Sequence, residues 1–156
     1  MIQEGDKAPA FEGPTSDGGR VALADFRGKP LVLFFYPKDD TPVCTKEACG
    51  FRDHAGEIGE LGAAVVGVSN DTATTHAGFR SKHGLNYPLV SDVDGGIAKA
   101  YGVARLGGVL GAWIPPRRVT FVIDGAGVVR RVIEGELNAA KHVDGALAAL
   151  RGLGAG

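Results

Sequence analysis

Pro30 to Tyr36 (PLVLFFY) is an unbroken apolar run closed by Pro37, and Ala63 to Val68 (AAVVGV) is a second. Runs this short, with no polar face, predict strands covered on both sides. Between them, from Thr41 to about Leu61, the residues Ala48, Phe51, Ala55, Ile58 and Leu61 recur at steps of three and four, the single stripe of an amphipathic helix. Strand, helix and strand in that order predict a parallel pair joined by a right-handed crossover. Thr72 to about His83 carries a second, weaker helical periodicity. Val119 to Ile123 and Val128 to Ile133 flank Asp124-Gly125-Ala126-Gly127, a turn composition that predicts an antiparallel hairpin. Ala139 to Leu150 closes the chain as an alanine-rich helix. The order βαβα followed by ββα predicts an α/β protein, a mixed central β-sheet flanked by helices on both faces, the plan of the thioredoxin-like fold. The apolar, glycine-rich stretch LGGVLGAWIPP, residues 106–116, reads either as a loop laid on the core or as a short helix that offers a contact surface.

With 156 residues the chain is expected to form a single domain, 1–156, able to bury about 70% of its unfolded surface without crosslinks. Its 17 basic and 18 acidic residues are scattered through both halves and leave a net charge of −1, which creates no field to gather nucleic acid or an anionic membrane. The start, MIQEGDKAPAF, lacks the basic end and apolar run of a secretory signal, and no apolar stretch approaches about 18 residues. A cytoplasmic protein with no nucleic-acid or membrane partner is expected. In a reducing compartment thiols are more often catalytic or metal-binding than structural.

The chain has two cysteines, Cys44 and Cys49. Thr41 suits a helix N-cap and Pro42 the first helical position, which makes Cys44 the third. A sulfur there faces unpaired backbone N–H groups and the positive end of the helix dipole, and both favour thiolate over thiol. An ordinary cysteine is only about 3% ionised at pH 7. In an intact helix the two Cα atoms lie about 8.6 Å apart, beyond the roughly 7 Å that a disulfide spans. A bond between them would require the first turns to unwind, and Gly50, Gly56 and Gly59 each weaken that helix by about 1 kcal/mol. Beside an activated nucleophile stand three alternatives. A metal site using His54 would spread its ligands around the helix, a dithiol exchanger would show C-x-x-C, and two buried thiols acting as small apolar groups would leave Thr41-Pro42 without a purpose.

FYPKDDTPVCTKEACGFRD, residues 35–53, closely resembles the active-site segment of peroxiredoxins of the bacterioferritin-comigratory, or peroxiredoxin Q, branch. The similarity extends from GDKAPAF near the start through RVTFVID, residues 118–124, to the last helix. The pattern P-x-x-x-T-x-x-C is here Pro37, Thr41 and Cys44, and Cys49 five residues on marks the branch. Val43 departs from the glycine usual in the branch, and residues 106–116 match it poorly. The resemblance implies a thiol-dependent peroxidase that needs no metal, haem or flavin, acts on hydrogen peroxide or organic hydroperoxides, and is recycled by thioredoxin or a similar dithiol. It implies that Cys44 is the peroxidatic cysteine and Cys49 the resolving one, joined through a sulfenic acid into an intramolecular disulfide. It further implies that the Thr41 hydroxyl bonds the thiolate or the peroxide, that Arg118 is the site arginine, that Glu47 orients it, and that Pro37 shields the pocket. The branch is often monomeric, so a monomer is expected. The topology agrees on Arg118: the start of an antiparallel strand lies at the same edge as the carboxyl ends of the parallel strands, where such folds place their sites. Arg117 is a lesser candidate, and Lys38, Arg52 and Arg130 read as solvated. His54, His76, His83 and His142 read as residues of polar helix faces without a role, and Tyr36 and Trp113 read as core.

Overall fold

The computed structural model describes residues 1–105 and 115–155. In chain order its elements are β1 (Glu12–Pro14), β2 (Arg20–Ala22), β3 (Leu31–Phe35), α1 (Pro42–Asp53), α2 (Ala55–Glu60), β4 (Ala64–Ser69), α3 (Ala73–His83), β5 (Leu89–Ser91), α4 (Gly96–Tyr101), β6 (Val119–Ile123), β7 (Val129–Glu134) and α5 (Ala139–Ala155). Residues 106–114 of the apolar stretch, Trp113 among them, lie outside the described residues. No helix among the described residues is long and apolar enough to cross a membrane.

The predicted apolar runs become the centre of a five-stranded mixed sheet of order β5-β4-β3-β6-β7. Strand β3 pairs in parallel with β4 and antiparallel with β6, so Leu31 stands between Ala64 and Ile123. Every residue of β3 is buried, because its two faces feed two cores. Val32, Phe34 and Tyr36 point into a layer built with Phe51 of α1, Ile58 of α2, Phe79 of α3 and Leu147 of α5. Leu31, Leu33 and Phe35 point into the opposite layer, with Phe11, Phe121 and the α4 residues Ile97 and Tyr101. Helices on both faces are thus observed, four of them on one side. Phe34 stacks on Phe51 with ring centroids 4.8 Å apart, and burying each such ring contributes up to about 3 kcal/mol.

The helix expected over Thr41 to Leu61 is two helices. His54 ends α1 at φ −101°, ψ 8°, and both its backbone N–H and its Nδ1 lie against the Gly50 carbonyl, at 3.2 and 2.9 Å. A side chain that competes for a helical carbonyl, with Gly50 four residues before and Gly56 two after, favours an interruption here. Gly50 itself has a packing reason: a Cβ there would meet Val143 Cγ2 at 2.8 Å, so α1 and α5 can approach this closely only through glycine. The hairpin β1–β2, strand β5 and helix α4 are additional to the sequence expectation. The three strands have three residues each and α4 has six, too short for any periodicity to register.

Candidate active site

The site gathers where β3 hands over to α1. Thr41 occupies the N-cap in extended conformation and Pro42 follows at the first helical position, as the Thr-Pro pair predicts. The Thr41 hydroxyl does not cap the helix, however; it donates to the Lys38 carbonyl at 2.8 Å. The first intrahelical bond is from Thr45 N to Thr41 O, so the N–H groups of Val43 and Cys44 come before the ladder begins.

Cys44 is only 1% exposed, and Arg118 Nη2 donates to its Sγ at 3.2 Å. Arg118 arrives from the residue before β6, which the pairing of Phe35 with Val119 places beside the end of β3. Its Nη1 donates to Glu47 Oε1 at 2.8 Å, its Nε to the Glu136 carbonyl at 2.8 Å, and its backbone N–H to Glu136 Oε1 at 3.1 Å. Burial works against the Arg118 charge, but Glu47 and Cys44 outweigh it and the guanidinium is held more firmly protonated than usual. Glu47 is fully buried, and burial pushes its carboxyl up to about 8 despite the opposing pull of Arg118. Its Oε1 is bonded, whereas its Oε2 has no hydrogen-bond partner and lies 3.5 Å from His142 Nδ1.

Of the residues expected at a site, Arg118 therefore touches both Cys44 and Glu47, with Thr41 at the cap and half-buried Pro37 at the start of the connecting loop. Cys49 is half-buried, and both thiols are free on an unbroken α1, as the helix geometry required. Arg117 stands apart in a surface pair with Glu134 at 2.7 Å. Lys38 and Arg130 are exposed as expected, but Arg52 is half-buried, with Nη1 donating to the His83 carbonyl at 2.5 Å.

Two histidines expected on polar helix faces are interior residues. His142 is fully buried behind Glu47, with Nδ1 2.7 Å from Thr120 Oγ1 and Nε2 2.8 Å from the Gly135 carbonyl. His76 is fully buried beneath the loop that carries Pro37 and Thr41. Its Nδ1 lies 2.7 Å from Asp39 Oδ2 and its Nε2 3.2 Å from the Val90 carbonyl. The Tyr36 hydroxyl donates to the other oxygen of Asp39 at 2.6 Å, and burial, with Asp39 beside it, holds that phenol protonated. The Asp39 backbone N–H is taken by Asp71 Oδ2 at 2.8 Å, which also accepts from Ser69 Oγ at 2.7 Å. Asp39, Asp71 and His76 bring their donor atoms within 4.8 Å of one another, and these atoms are already engaged with each other and with their neighbours. The helical stripes carried a signal: His76 lies three residues before buried Phe79, and His142 four before buried Ala146.

The model of the AhpC/TSA family matches residues 4–132. The chain belongs to that family. It is 42% identical to the chloroplastic peroxiredoxin Q of Suaeda salsa over 153 residues, 97% of this chain and 69% of the relative. Among solved structures, the peroxidoxin BcpB of Mycobacterium tuberculosis superposes with a TM-score of 0.93 at 43% identity, covering 98% of this chain and 99% of the other. The bacterioferritin comigratory protein of Xanthomonas campestris, described for alkyl peroxide reduction, superposes with a TM-score of 0.83 at 33% identity and 92% coverage of each chain. The fold is that of the thioredoxin-like peroxiredoxins, and the protein is a thiol-dependent peroxidase of the peroxiredoxin Q branch, an antioxidant oxidoreductase that acts on peroxide through a peroxidatic cysteine.

Proposed function

We propose that Cys44 is the peroxidatic thiol and Arg118 the group that stabilises the charge it handles. The observation that carries this is the contact between Arg118 Nη2 and Cys44 Sγ at 3.2 Å, where the residues are 4% and 1% exposed. A fixed guanidinium in so dry a place stabilises an anion far better than one in water, and needs no reorganisation when charge moves. The Cys44 thiolate attacks the terminal oxygen of hydrogen peroxide or an organic hydroperoxide. The O–O bond takes up the sulfur's electron pair, a sulfenic acid forms, and hydroxide or alkoxide leaves to be protonated. Thr41, with its proton committed to Lys38, offers lone pairs to the O–H of the incoming peroxide. The N–H groups of Val43 and Cys44 are available to the leaving oxygen, and Pro37 limits access of water.

Resolution falls to Cys49. Because the two thiols belong to one intact helix, the first turns of α1 unwind before Cys49 condenses with the sulfenic acid, releasing water. Thioredoxin or a similar dithiol restores both thiols by exchange. We place the reaction in the cytoplasm, in a monomer whose whole chain is one domain. One experiment tests the scheme: reduced protein is treated with one equivalent of hydrogen peroxide and its free thiols are counted. Both thiols of each chain should be lost without crosslinking of chains, and thioredoxin should restore them. Unchanged thiols, or a disulfide between chains, would refute it.

A further inference from the structure

Arg118 is one cation in contact with two groups that can each be an anion: Cys44 Sγ at 3.2 Å and Glu47 Oε1 at 2.8 Å, all three residues 4% exposed or less. If sulfur and carboxylate were both ionised, one negative charge would be buried without a counter-charge, an arrangement that proteins avoid by neutralising one group. The other charged groups nearby do not relieve it. From the segment after β7, Glu136 adds a carboxylate that bonds the Arg118 backbone and pairs with Arg105 at 3.4 Å. From the segment before β5, Tyr87 is held protonated by burial and by Glu47, and Lys141 of α5 bears only on His142.

What remains is His142. Its Nε2 donates to the Gly135 carbonyl at 2.8 Å, and in the neutral ring that burial favours its Nδ1 accepts from Thr120 Oγ1 at 2.7 Å, which leaves no hydrogen on it for Glu47 Oε2 at 3.5 Å. Such a ring supplies that carboxyl with neither a counter-charge nor a donor. Oε2 is also the one carboxyl oxygen of Glu47 without a hydrogen-bond donor, a poor setting for an anion.

We propose that Glu47 keeps its proton while Cys44 is a thiolate, so that Arg118 serves sulfur first and passes to the carboxylate once sulfur is oxidised. The proposal rests on Cys44 being the peroxidatic thiol. It is consistent with burial raising Glu47 to about 8 and with burial and Arg118 keeping His142 neutral. The charges balance: peroxide turns the thiolate into neutral S–OH, the departing oxygen takes a proton, and Glu47, relieved of its competitor, can release one. The sign with pH follows. Raising pH through about 8 removes the Glu47 proton and sets a carboxylate against the thiolate for Arg118.

Infrared spectroscopy of the reduced protein reads the carboxyl proton without any peroxide, so this test stands or falls separately from turnover. A carboxylic-acid C=O band should persist at neutral pH, vanish as pH rises through about 8, and be missing in Glu47→Gln. Cys44→Ser, which removes the competing anion, should move the loss of that band to lower pH by about one unit or more. Absence of the band at neutral pH, or a band unmoved by Cys44→Ser, would overturn the competition.

Discussion

Replacing His76 with leucine removes one partner of a buried hydrogen-bonded pair and leaves the other in place. The side chains of His76 and Asp39 are 0% and 1% exposed and meet at 2.7 Å, so the variant strands Asp39 Oδ2 where water does not reach. Tyr36 still donates to Oδ1, which satisfies half of the carboxylate and leaves Oδ2 without a donor. Leaving a buried oxygen unpaired costs about 1–3 kcal/mol, a sizeable share of a domain's stability of about 5–15 kcal/mol. For a chain of this length that corresponds to a melting temperature lower by about 2–12 °C. The loss should also reach the chemistry, because Asp39 belongs to the loop that sets Thr41. Asp40 in the same loop holds φ 63° with its carboxylate on Lys82 and His83, both at 3.2 Å, so the loop is tied to α3 on two sides. Urea unfolding of His76→Leu, Asp39→Asn and the double variant measures the pair. The double variant should be more stable than the sum of the single losses predicts by at least about 1 kcal/mol, since the two losses remove one shared contact. Simple additivity, or a loss below about 1 kcal/mol in His76→Leu, would show that the pair is not what holds the loop.

Arg118→Met should lower the second-order rate of peroxide reduction by about 10²–10³-fold, the effect of removing one fixed charge-stabilising donor, and stopped-flow oxidation would detect it; a change below about tenfold would contradict the assignment. Cys49→Ser should leave the first oxidation intact, slow recycling by thioredoxin, and let Cys44 proceed to the sulfinic acid, visible by mass spectrometry. Recycling at the parent rate would remove Cys49 from the resolving role. Gly50→Ala gains up to about 1 kcal/mol in helix propensity but presses a methyl group 2.8 Å from Val143 Cγ2, an overpacking that costs about 1–3 kcal/mol, so thermal unfolding should shift downward.

The elements that place the site were legible where they were long and periodic. β3 and β4 read as apolar runs because both their faces are covered, and Thr41-Pro42 marked the start of α1 because an N-cap and a first-turn proline have few other uses. Arg118 was reachable through topology, since the residue before an antiparallel strand beside β3 ends near the head of α1. Glu136, whose carbonyl and carboxylate position Arg118, was not named, although the register of Val119 with Glu134 brings the segment after β7 alongside. His76 and His142 escaped for another reason: histidine is counted as polar when faces are sorted, and only buried acceptors, contributed by distant segments, make an interior position favourable for it. The break at His54 was likewise invisible, because the apolar stripe continues across it while the backbone does not.

The grip on α1 is uneven along its length, and in the proposed scheme that decides which thiol would travel. Its rear half is clamped by bonds that oxidation leaves alone: the Tyr87 hydroxyl on the Ala48 carbonyl at 2.7 Å, Gly50 seated on Val143, and Arg52 reaching the His83 carbonyl. Its front turn is moored chiefly by Arg118, through Cys44 and Glu47. On the proposed assignment, oxidation of the sulfur would slacken one of those two moorings while the rear stays anchored. Cys44 would then be the mobile partner and Cys49 the fixed target, and a crosslinked molecule would already have taken apart the pocket that admits peroxide.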